Sequence, residues 1–266
     1  MKTSSVTLSH TLDSGQFFRY QLHDGWYYVV TREKVFRIRQ EGDELFYEGA
    51  SDNFIRHFFG FDEDYAAIKK QLKKDAVLAD AIKQYPGLRI IKQDPWECTV
   101  FFLCSQFSNI KKIKRNLDLI AEKFGKEIIF KGKKFFTFPP PGAINDLKKL
   151  KKCSVGFRAK YILAVNNAVS DEFFARLRKL SYIEAKEELM KLPGIGEKVA
   201  DCILLFSLDF TESFPVDVWM ERVMKENYAV TLPLRKMSFF GREKWGKLAG
   251  YAQQWLYHWK RLHKNP

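Results

Sequence analysis

The chain of 266 residues has few cysteines, no long apolar run and fewer acidic than basic residues. Its cysteines do not form the close pairs that hold zinc or an iron–sulfur cluster; they are Cys98, Cys104, Cys153 and Cys202. No stretch of about 18 apolar residues occurs, and residues 1–14 lack an apolar signal core. These absences predict a soluble protein with free thiols, no metal site and no membrane association. We expect it in the cytoplasm, near the nucleoid of a prokaryote, or in a eukaryotic nucleus.

The shortage of acidic residues leaves a formal net charge of +13 and a sequence pI of about 9.4. Such a charge favours a polyanionic partner, most simply nucleic acid, although a membrane surface would also attract it. Lysine and arginine concentrate in two segments, and the first of these could equally be the solvated face of a surface helix. The segments contain Lys111, Lys112, Lys114, Arg115, Lys123 and Lys126, and then Lys148, Lys149, Lys151, Lys152, Arg158 and Lys160.

The order of the sequence patterns predicts an α+β fold, in which an N-terminal twisted antiparallel β-sheet precedes a mainly helical core. Up to about residue 50 the residues alternate as in strands, and helical periodicity then takes over. Asp94 is typical of a helix N-cap and Pro95 of the first turn, so a new helix begins here. We therefore place a domain boundary between 1–94 and 95–266. The predicted strands are 17–22, 26–30, 35–38 and 45–47; the predicted helices include 53–59, 65–73, 76–84, 96–107, 109–126 and 242–263, with a loop over 131–142.

Residues 182–208 have the pattern of a helix-hairpin-helix. Good helix formers over 182–190 are followed by Leu-Pro-Gly-Ile-Gly and by an apolar-periodic helix over 197–208. Gly194 and Gly196 can adopt positive φ and let another backbone approach closely. The first amides of the second helix, together with its dipole, make a site for a phosphate. By itself the motif predicts only that the chain holds a nucleic-acid backbone.

Lys198 and Asp217 suggest that this binding motif also carries an active site. Lys198 lies in the first turn of the second helix, where the dipole disfavours a cation, so its amine is more available as a nucleophile. Asp217 heads the next predicted helix, 218–227, and its carboxylate could stabilise positive charge that develops on a sugar ring. Taken singly, Lys198 also fits a solvated or phosphate-binding lysine, and Asp217 fits an ordinary N-cap.

The segment LPGIGEKVADC, followed by PVDV, resembles the helix-hairpin-helix DNA glycosylase superfamily, which has a Gly/Pro-rich loop and a key aspartate. Other segments extend the resemblance to the 8-oxoguanine DNA glycosylases over nearly the whole chain; they are LDSGQFFRY, QDPWECTVFFLCS, VGFRAKY and GYAQQWLY. The resemblance implies that two helical subdomains flank an active-site cleft. It also implies a bifunctional glycosylase and abasic-site lyase that flips 8-oxoguanine out of duplex DNA.

In the mechanism that the resemblance implies, Lys198 forms an imine with the sugar and Asp217 stabilises its oxocarbenium-like state. β-Elimination from the imine then nicks the strand. No step needs a metal or a redox cofactor, so we expect none. Family analogy allows an alkali cation at the hairpin carbonyls, but no side chain here predicts it.

The resemblance assigns recognition of the lesion to four residues. The carbonyl of Gly15 would accept a hydrogen bond from N7–H, a donor that guanine lacks; without the resemblance, Gly15 fits an ordinary turn glycine. Cys202 would pack on one face of the base with thiolate character, although a lone cysteine also fits a buried core position. Gln253 would bind the Watson–Crick edge, and Tyr257 would stack on the opposite face.

The resemblance further implies that Phe157 acts as a wedge and that Arg158 helps to fill the gap in the duplex. Phe107 and Lys112 stand where eukaryotic members carry an asparagine and an arginine that contact the orphaned cytosine. Phenylalanine cannot hydrogen-bond to cytosine, and lysine lacks the bidentate fork. We therefore predict relaxed discrimination of the base opposite the lesion. The predicted DNA-binding residues also include Asn109, Gly194 and Gly196.

Two other functions stay open at this point. A helix-hairpin-helix glycosylase for another damaged base would keep the fold but less often the lysine. A non-catalytic helix-hairpin-helix DNA-binding module would need neither Lys198 nor Asp217, so their pairing favours the glycosylase/lyase. We expect a monomer that acts on double-stranded DNA containing oxidised guanine.

Overall fold

The computed structural model describes residues 1–3, 5–32 and 34–263, and its N-terminal part contains a four-stranded antiparallel sheet in chain order. Asp24 and Gly25, between the first two strands, have φ of 49° and 74°, as in tight turns that match strand twist. The predicted sheet is confirmed, but its first strand begins late, because Phe17 and Phe18 are buried in the core ahead of it. The elements are α1 (Leu8–Leu12), β1 (Tyr20–His23), β2 (Trp26–Val30), β3 (Val35–Glu41) and β4 (Glu44–Glu48).

Three short helices and one long helix follow the sheet. The side chains of Ser51, Asp64 and Asp75 accept hydrogen bonds from first-turn amides and so cap the short helices. Asp94 caps the long helix in the same way at 2.8 Å, with Pro95 as its first residue, as the sequence predicts. Residues of the long helix are buried on every side, so it lies at the centre of the core. The helices are α2 (Asp52–Phe58), α3 (Tyr65–Leu72), α4 (Ala76–Gln84) and α5 (Pro95–Ser105).

A two-stranded hairpin follows helix α6 (Ile110–Phe124), in a region that the sequence predicted to be a loop. Strands β5 (Glu127–Phe130) and β6 (Lys133–Phe136) are joined by a two-residue turn with positive φ at both positions. The Phe135 ring stacks on Tyr28 of the first sheet, with 5.6 Å between the centroids. The loop prediction was wrong here because an isolated hairpin is marginal in water, and packing against a distant sheet stabilises this one.

Buried residues from both sides of the predicted domain boundary form one continuous hydrophobic core. Phe17 meets Phe101 edge to face, with 5.9 Å between the centroids. Arg19 and Glu97 form a buried ion pair, with 3.0 Å between Nη1 and Oε1. We therefore keep the division at residue 94 as a proposal about secondary-structure content, not about separately packed units.

Helices make up the C-terminal part of the described chain, and the helix-hairpin-helix lies at its predicted position. The prediction of one continuous helix over 242–263 was wrong, because Gly246 has φ of 54° and begins a 3₁₀ turn, Gly246–Leu248. Trp245, ahead of this break, stacks on Phe214 at 5.4 Å between centroids. The helices are α7 (Leu147–Lys151), α8 (Arg158–Ala168), α9 (Asp171–Leu177), α10 (Tyr182–Met190), α11 (Glu197–Ser207), α12 (Val218–Tyr228), α13 (Leu234–Trp245) and α14 (Ala249–Leu262).

His258 on α14 is expected to make the folded protein less stable as the pH falls below about 6.5. It is buried, its ring nitrogens have no hydrogen-bond partner among the described residues, and burial lowers its pKa to about 3. Between these pKa values the unfolded chain binds a proton that the folded chain does not bind, which favours unfolding. We expect the unfolding temperature to fall less between about pH 7 and about pH 4.5 for His258→Phe than for the wild type. The exposed His23 provides the control: His23→Phe should follow the wild type, and equal losses in all three proteins would contradict the prediction.

Candidate active site

The residues predicted for catalysis and base recognition line one cavity. The loop after α1, the start of α11, the N-cap of α12 and the middle of α14 bring them together. The cavity has a volume of about 40 Å³, which has room for a few water molecules but not for a purine base. It is lined by Gly15, Lys198, Cys202, Asp217, Gln253 and Tyr257, and by four residues that the sequence did not single out, Phe102, Phe206, Pro215 and Gln254.

Lys198 is the second residue of α11 and points its amine towards the C-terminal end of α5. Its Nζ lies 3.5 Å from Ser105 Oγ and 4.9 Å from the centroid of the Phe102 ring. No salt bridge to Lys198 is formed within the described part of the chain. The amine is therefore half-buried, held beside an aromatic face, and not engaged by a carboxylate in an ion pair.

Asp217 is the N-cap of α12 and faces the same cavity. Its Oδ1 accepts hydrogen bonds from the backbone amides of Trp219 and Met220, both at 3.0 Å. Asp217 is thus an ordinary helix N-cap, and this role is compatible with a catalytic one. The cap fixes one oxygen and holds the carboxylate in place at the cavity wall.

Tyr257 packs against Gly15 at the wall of the cavity. An ideal Cβ built on Gly15 would lie only 3.0 Å from Tyr257 Oη, so the phenol rests on the glycine backbone. Arg261, one turn further along α14, donates a hydrogen bond to the carbonyl of Asp13 at the same edge. Because the cavity of about 40 Å³ is too small for a purine, part of its wall must move before a base can enter.

Gly15→Ala is expected to lower both stability and any activity of the cavity. Gly15 has φ of +80°, a region that disfavours an L side chain by about 1–2 kcal/mol, and the new Cβ would press on Tyr257. Gly25→Ala is a matched control, because Gly25 has φ of +74° and no atom within 4 Å of its ideal Cβ. Thermal unfolding and a single-turnover assay should show that only Gly15→Ala loses activity. Equal activity of the two variants would remove Gly15 from the site.

Gln253 and Cys202 both line the cavity, and Gln253 has an acceptor that no described residue satisfies. Gln253 is only 5% exposed, and its Oε1 has no hydrogen-bond partner among the described residues; such an acceptor suits a ligand that donates. Burial raises the pKa of Cys202 to about 12, and the nearby Lys198 only partly offsets this. Burial thus opposes the thiolate character that the resemblance implies for Cys202, and that character stays a prediction.

The two glycines of the hairpin before α11 have different backbone conformations. Gly194 has φ of +81°, and its ideal Cβ would lie 2.5 Å from the Tyr161 ring, so both backbone conformation and close packing require glycine. Gly196 has φ of −96°, so it does not use the positive φ that glycine allows. It is the N-cap of α11 and has no side chain to accept from the first-turn amides, which leaves them free for an anion.

The other predicted DNA-binding residues lie near the turn between α5 and α6. Phe107 is 94% exposed and Phe157 is 53% exposed. Lys112 is exposed. Asn109 is the N-cap of α6, and its side-chain Oδ1 accepts a hydrogen bond from the backbone amide of Lys112 at 2.9 Å. Arg158 is only 3% exposed and donates to backbone carbonyls. Its predicted contact with DNA is therefore not available in this conformation.

A buried polar network that the sequence did not reveal lies beside α11. Burial raises the pKa of Asp201. Lys186 Nζ at 3.0 Å and the Tyr182 hydroxyl at 2.5 Å donate hydrogen bonds to it. Alternation of apolar and polar residues in α11 could not reveal these partners, which come from α10.

Among the described residues, no group of three or more histidine, cysteine, aspartate or glutamate side chains is arranged to hold a metal ion. None of the described helices combines the length and the apolar character needed to cross a membrane.

Comparison with known families and structures gives consistent matches. Residues 1–99 match the model of the 8-oxoguanine DNA glycosylase N-terminal domain, and residues 185–206 match the helix-hairpin-helix motif. The structure of Clostridium acetobutylicum 8-oxoguanine glycosylase/lyase, in complex with DNA containing cytosine opposite 8-oxoguanine, is 34% identical in sequence. It superimposes with a TM-score of 0.92 over 97% of this chain and 92% of that chain.

Curated relatives agree with the structural match. A probable N-glycosylase/DNA lyase of Methanothermobacter thermautotrophicus is 32% identical over 209 residues, which cover 70% of this chain and 67% of that protein. An N-glycosylase/DNA lyase of Arabidopsis thaliana is 33% identical over 201 residues, 70% of this chain but only 55% of the plant protein. The chain therefore belongs to the 8-oxoguanine DNA glycosylase family of the helix-hairpin-helix superfamily.

Proposed function

We propose that this protein excises 8-oxoguanine from duplex DNA and then cleaves the strand at the abasic site, as a glycosylase and a lyase. The observation that carries this proposal is the cavity that Lys198 shares with Asp217. An amine without a salt bridge to any described residue and a carboxylate fixed by a helix cap line one cavity. A module that only binds DNA needs neither group in a cavity.

In the proposed reaction, the Lys198 amine attacks C1′ of the extruded nucleotide. The glycosidic bond breaks, and the base leaves with the bonding electrons and a proton. That proton comes from the attacking nitrogen. The nitrogen lone pair then forms a C1′=N bond as the C1′–O4′ bond breaks, O4′ takes up a proton from solvent, and the open-chain sugar is left as a protonated imine. Loss of the 2′ proton then expels the 3′ phosphate by β-elimination. The Asp217 carboxylate stabilises the positive charge that develops on the sugar in the first step.

The cavity walls support recognition of an oxidised guanine. The Gly15 carbonyl suits the N7–H donor of the lesion, and the unpaired Gln253 Oε1 suits the donors of a guanine Watson–Crick edge. Cys202 and Tyr257 would cover the two faces of the base once Tyr257 has moved off Gly15. Because all these residues come from one chain, we also propose that the protein acts as a monomer.

Borohydride trapping on a panel of duplexes tests this proposal. The panel contains 8-oxoguanine, an alkylated purine, an abasic site and undamaged guanine. We expect a covalent adduct and strand cleavage with the first and third duplexes only. Trapping on the alkylated purine alone would indicate a sibling glycosylase, and binding without any adduct would indicate a DNA-binding module.

Relaxed selectivity for the opposite base is a further expected result. Phe107 has no hydrogen-bonding group, and Lys112 offers a single ammonium in place of a bidentate fork. Single-turnover excision of 8-oxoguanine should be measured opposite each of the four bases. We expect the rate opposite cytosine to exceed the rate opposite adenine by less than ~100-fold, which is the discrimination that about two good base contacts would provide. A larger preference would show that other groups read the cytosine.

A further inference from the structure

Side chains hold the backbone on both sides of Gly15 and leave the Gly15 carbonyl free. Three hydrogen bonds to neighbouring backbone carbonyls do this: Arg261 Nη2 donates to that of Asp13, Gln254 Nε2 to that of Ser14 at 3.4 Å, and Gln93 Nε2 to that of Gln16 at 2.8 Å. Among the described residues, none donates a hydrogen bond to the Gly15 carbonyl. The segment 13–16 is therefore fixed around one available acceptor.

The C-terminal side of this segment is anchored in the core. Ser14 and Gln16 are fully buried. Gln16 Nε2 donates to Ser14 Oγ and to the Arg89 carbonyl, both at 2.8 Å, and Gln16 Oε1 accepts from the Ile91 amide at 2.7 Å. This side of the segment is held by several buried hydrogen bonds and does not depend on one group.

The N-terminal side of the segment is exposed and is held to α14 by Arg261. The Tyr20 hydroxyl donates to the Asp13 side chain, whereas Arg261 donates to the Asp13 backbone carbonyl. An ideal Cβ on Gly15 would lie 3.2 Å from Arg261 Nη1, and the guanidinium carbon lies 5.7 Å from the centroid of the Tyr257 ring. One guanidinium thus contacts the start of the segment and lies beside both the glycine and the cavity wall.

This contact also fixes two recognition groups relative to each other. Gln253, with its unpaired Oε1, lies about two turns before Arg261 on α14, and the Gly15 carbonyl lies on the segment that Arg261 holds. A carbonyl accepts an N–H at about 2.7–3.2 Å and repels a lone pair at that distance. It distinguishes the two only while it cannot retreat, so a rigid support is needed.

We propose that Arg261 is a positioning residue for the Gly15 carbonyl, and that it enforces selection of purines with a donor at N7 over purines with a lone pair there. This inference rests on the proposed function and specifies its substrate selectivity. Lys198 and Asp217 are placed by α11 and α12, so loss of Arg261 affects the reading of the base far more than the chemistry on the sugar.

Two substrates that differ in the presence of a base test the proposal. Arg261→Met keeps an unbranched side chain and removes the donors. Its single-turnover excision of 8-oxoguanine should fall by roughly 10- to 100-fold, the effect of a misplaced contact, whereas its cleavage at a preformed abasic site should fall far less. Equal losses on both substrates would overturn the proposal.

Two further variants identify what Arg261 contributes. Arg261→Lys keeps one donor for the Asp13 carbonyl and should recover part of the lost excision; recovery no better than that of Arg261→Met would contradict the proposal. Arg242→Met is a matched control. Arg242 is a half-buried arginine of α13, 4.5 Å from the centroid of the Tyr182 ring and outside the cavity, and its loss should leave both activities unchanged.

Affinities measure selectivity without chemistry. The probes are duplexes with 2′-fluoro-8-oxoguanosine, whose fluorine slows excision, with 2′-fluoroguanosine, or with a stable abasic analogue. Arg261→Met should lower the preference for the lesion over guanine by roughly tenfold or more and change binding to the abasic analogue little. Weaker binding to all three, with a salt dependence reduced by about 0.9 in slope, would show that Arg261 binds a phosphate and would overturn the proposal.

Hydrogen–deuterium exchange of the free protein separates this inference from the proposed function. Arg261→Met should speed exchange of the amides of residues 13–16, and Arg242→Met should not; unchanged exchange in Arg261→Met would refute the positioning role. If the wild type does not excise 8-oxoguanine, the proposed function fails, whereas the exchange result still judges Arg261. Thermal unfolding monitors the fold; if Arg261→Met does not fold, Arg261→Gln, which lacks the charge and the guanidinium fork, should give the same results.

Discussion

Lys198→Gln is expected to abolish borohydride trapping and to lower excision of 8-oxoguanine by roughly 10³-fold or more, as loss of a nucleophile does in other enzymes. An amide nitrogen is not nucleophilic, so neither the bond to C1′ nor the imine can form. The glutamine side chain still reaches the surroundings of Ser105 and Phe102, and Lys198 forms no salt bridge with the described residues. The fold should therefore be retained.

A nearby lysine, Lys191, provides a control for Lys198→Gln. Lys191 lies in the same hairpin region, with its side chain 70% exposed and paired with Glu188. Lys191→Gln removes the same charge from the same surface and should still be trapped on lesion DNA. Thermal unfolding and DNA affinity of both variants should stay close to the wild type. Trapping by Lys198→Gln at the wild-type level would assign the nucleophile to another amine.

Asp217→Asn is expected to lower turnover by roughly 10²- to 10⁴-fold while changing DNA affinity little, because its charge acts mainly in the transition state. Asparagine is as good an N-cap as aspartate, and it can accept from the same two amides that now bind Oδ1. The substitution thus removes the charge from the cavity and keeps the start of α12 in place. Single-turnover rates, lesion-DNA affinity and thermal unfolding measure the three effects separately.

Asp64 supplies the control for the cap. It is an exposed N-cap of α3, accepting from the Ala67 amide at 2.9 Å, and it does not line the cavity. Asp64→Asn should match Asp217→Asn in its small effect on stability and leave turnover unchanged. If the activity of Asp217→Asn fell only in proportion to its loss of stability, Asp217 would be a structural cap and not a catalytic group.

Local chemistry explains why several elements could be predicted from the residues. The helix over 182–190, the cap at Asp94 and the strand over 26–30 are confirmed, because capping, turn residues and periodicity act between neighbours in sequence. Turn glycines are equally local, and Gly194 has the positive φ that its place in the hairpin predicts.

The wrong predictions share a different origin, which is contact between residues distant in sequence. The β5–β6 hairpin is stabilised by Phe135 on Tyr28. The end of α13 is set by Trp245 on Phe214. Distant segments also set the surroundings of two site residues whose roles stay predictions. Burial raises the pKa of the Cys202 thiol, and the carbonyls that engage Arg158 belong to a turn about fifty residues earlier.

The residues alone determined the α+β order of elements and the helix-hairpin-helix, and they indicated Lys198 and Asp217 as the candidate amine and carboxylate, since these depend on short-range patterns and on side-chain chemistry. Only the tertiary structure decided that Lys198 and Asp217 share a cavity with Gly15 and Gln253, that Tyr257 packs against Gly15, and that Arg158 donates to the Phe107 carbonyl. The physical reason is that burial, pocket volume and hydrogen-bond satisfaction depend on which distant segments pack together.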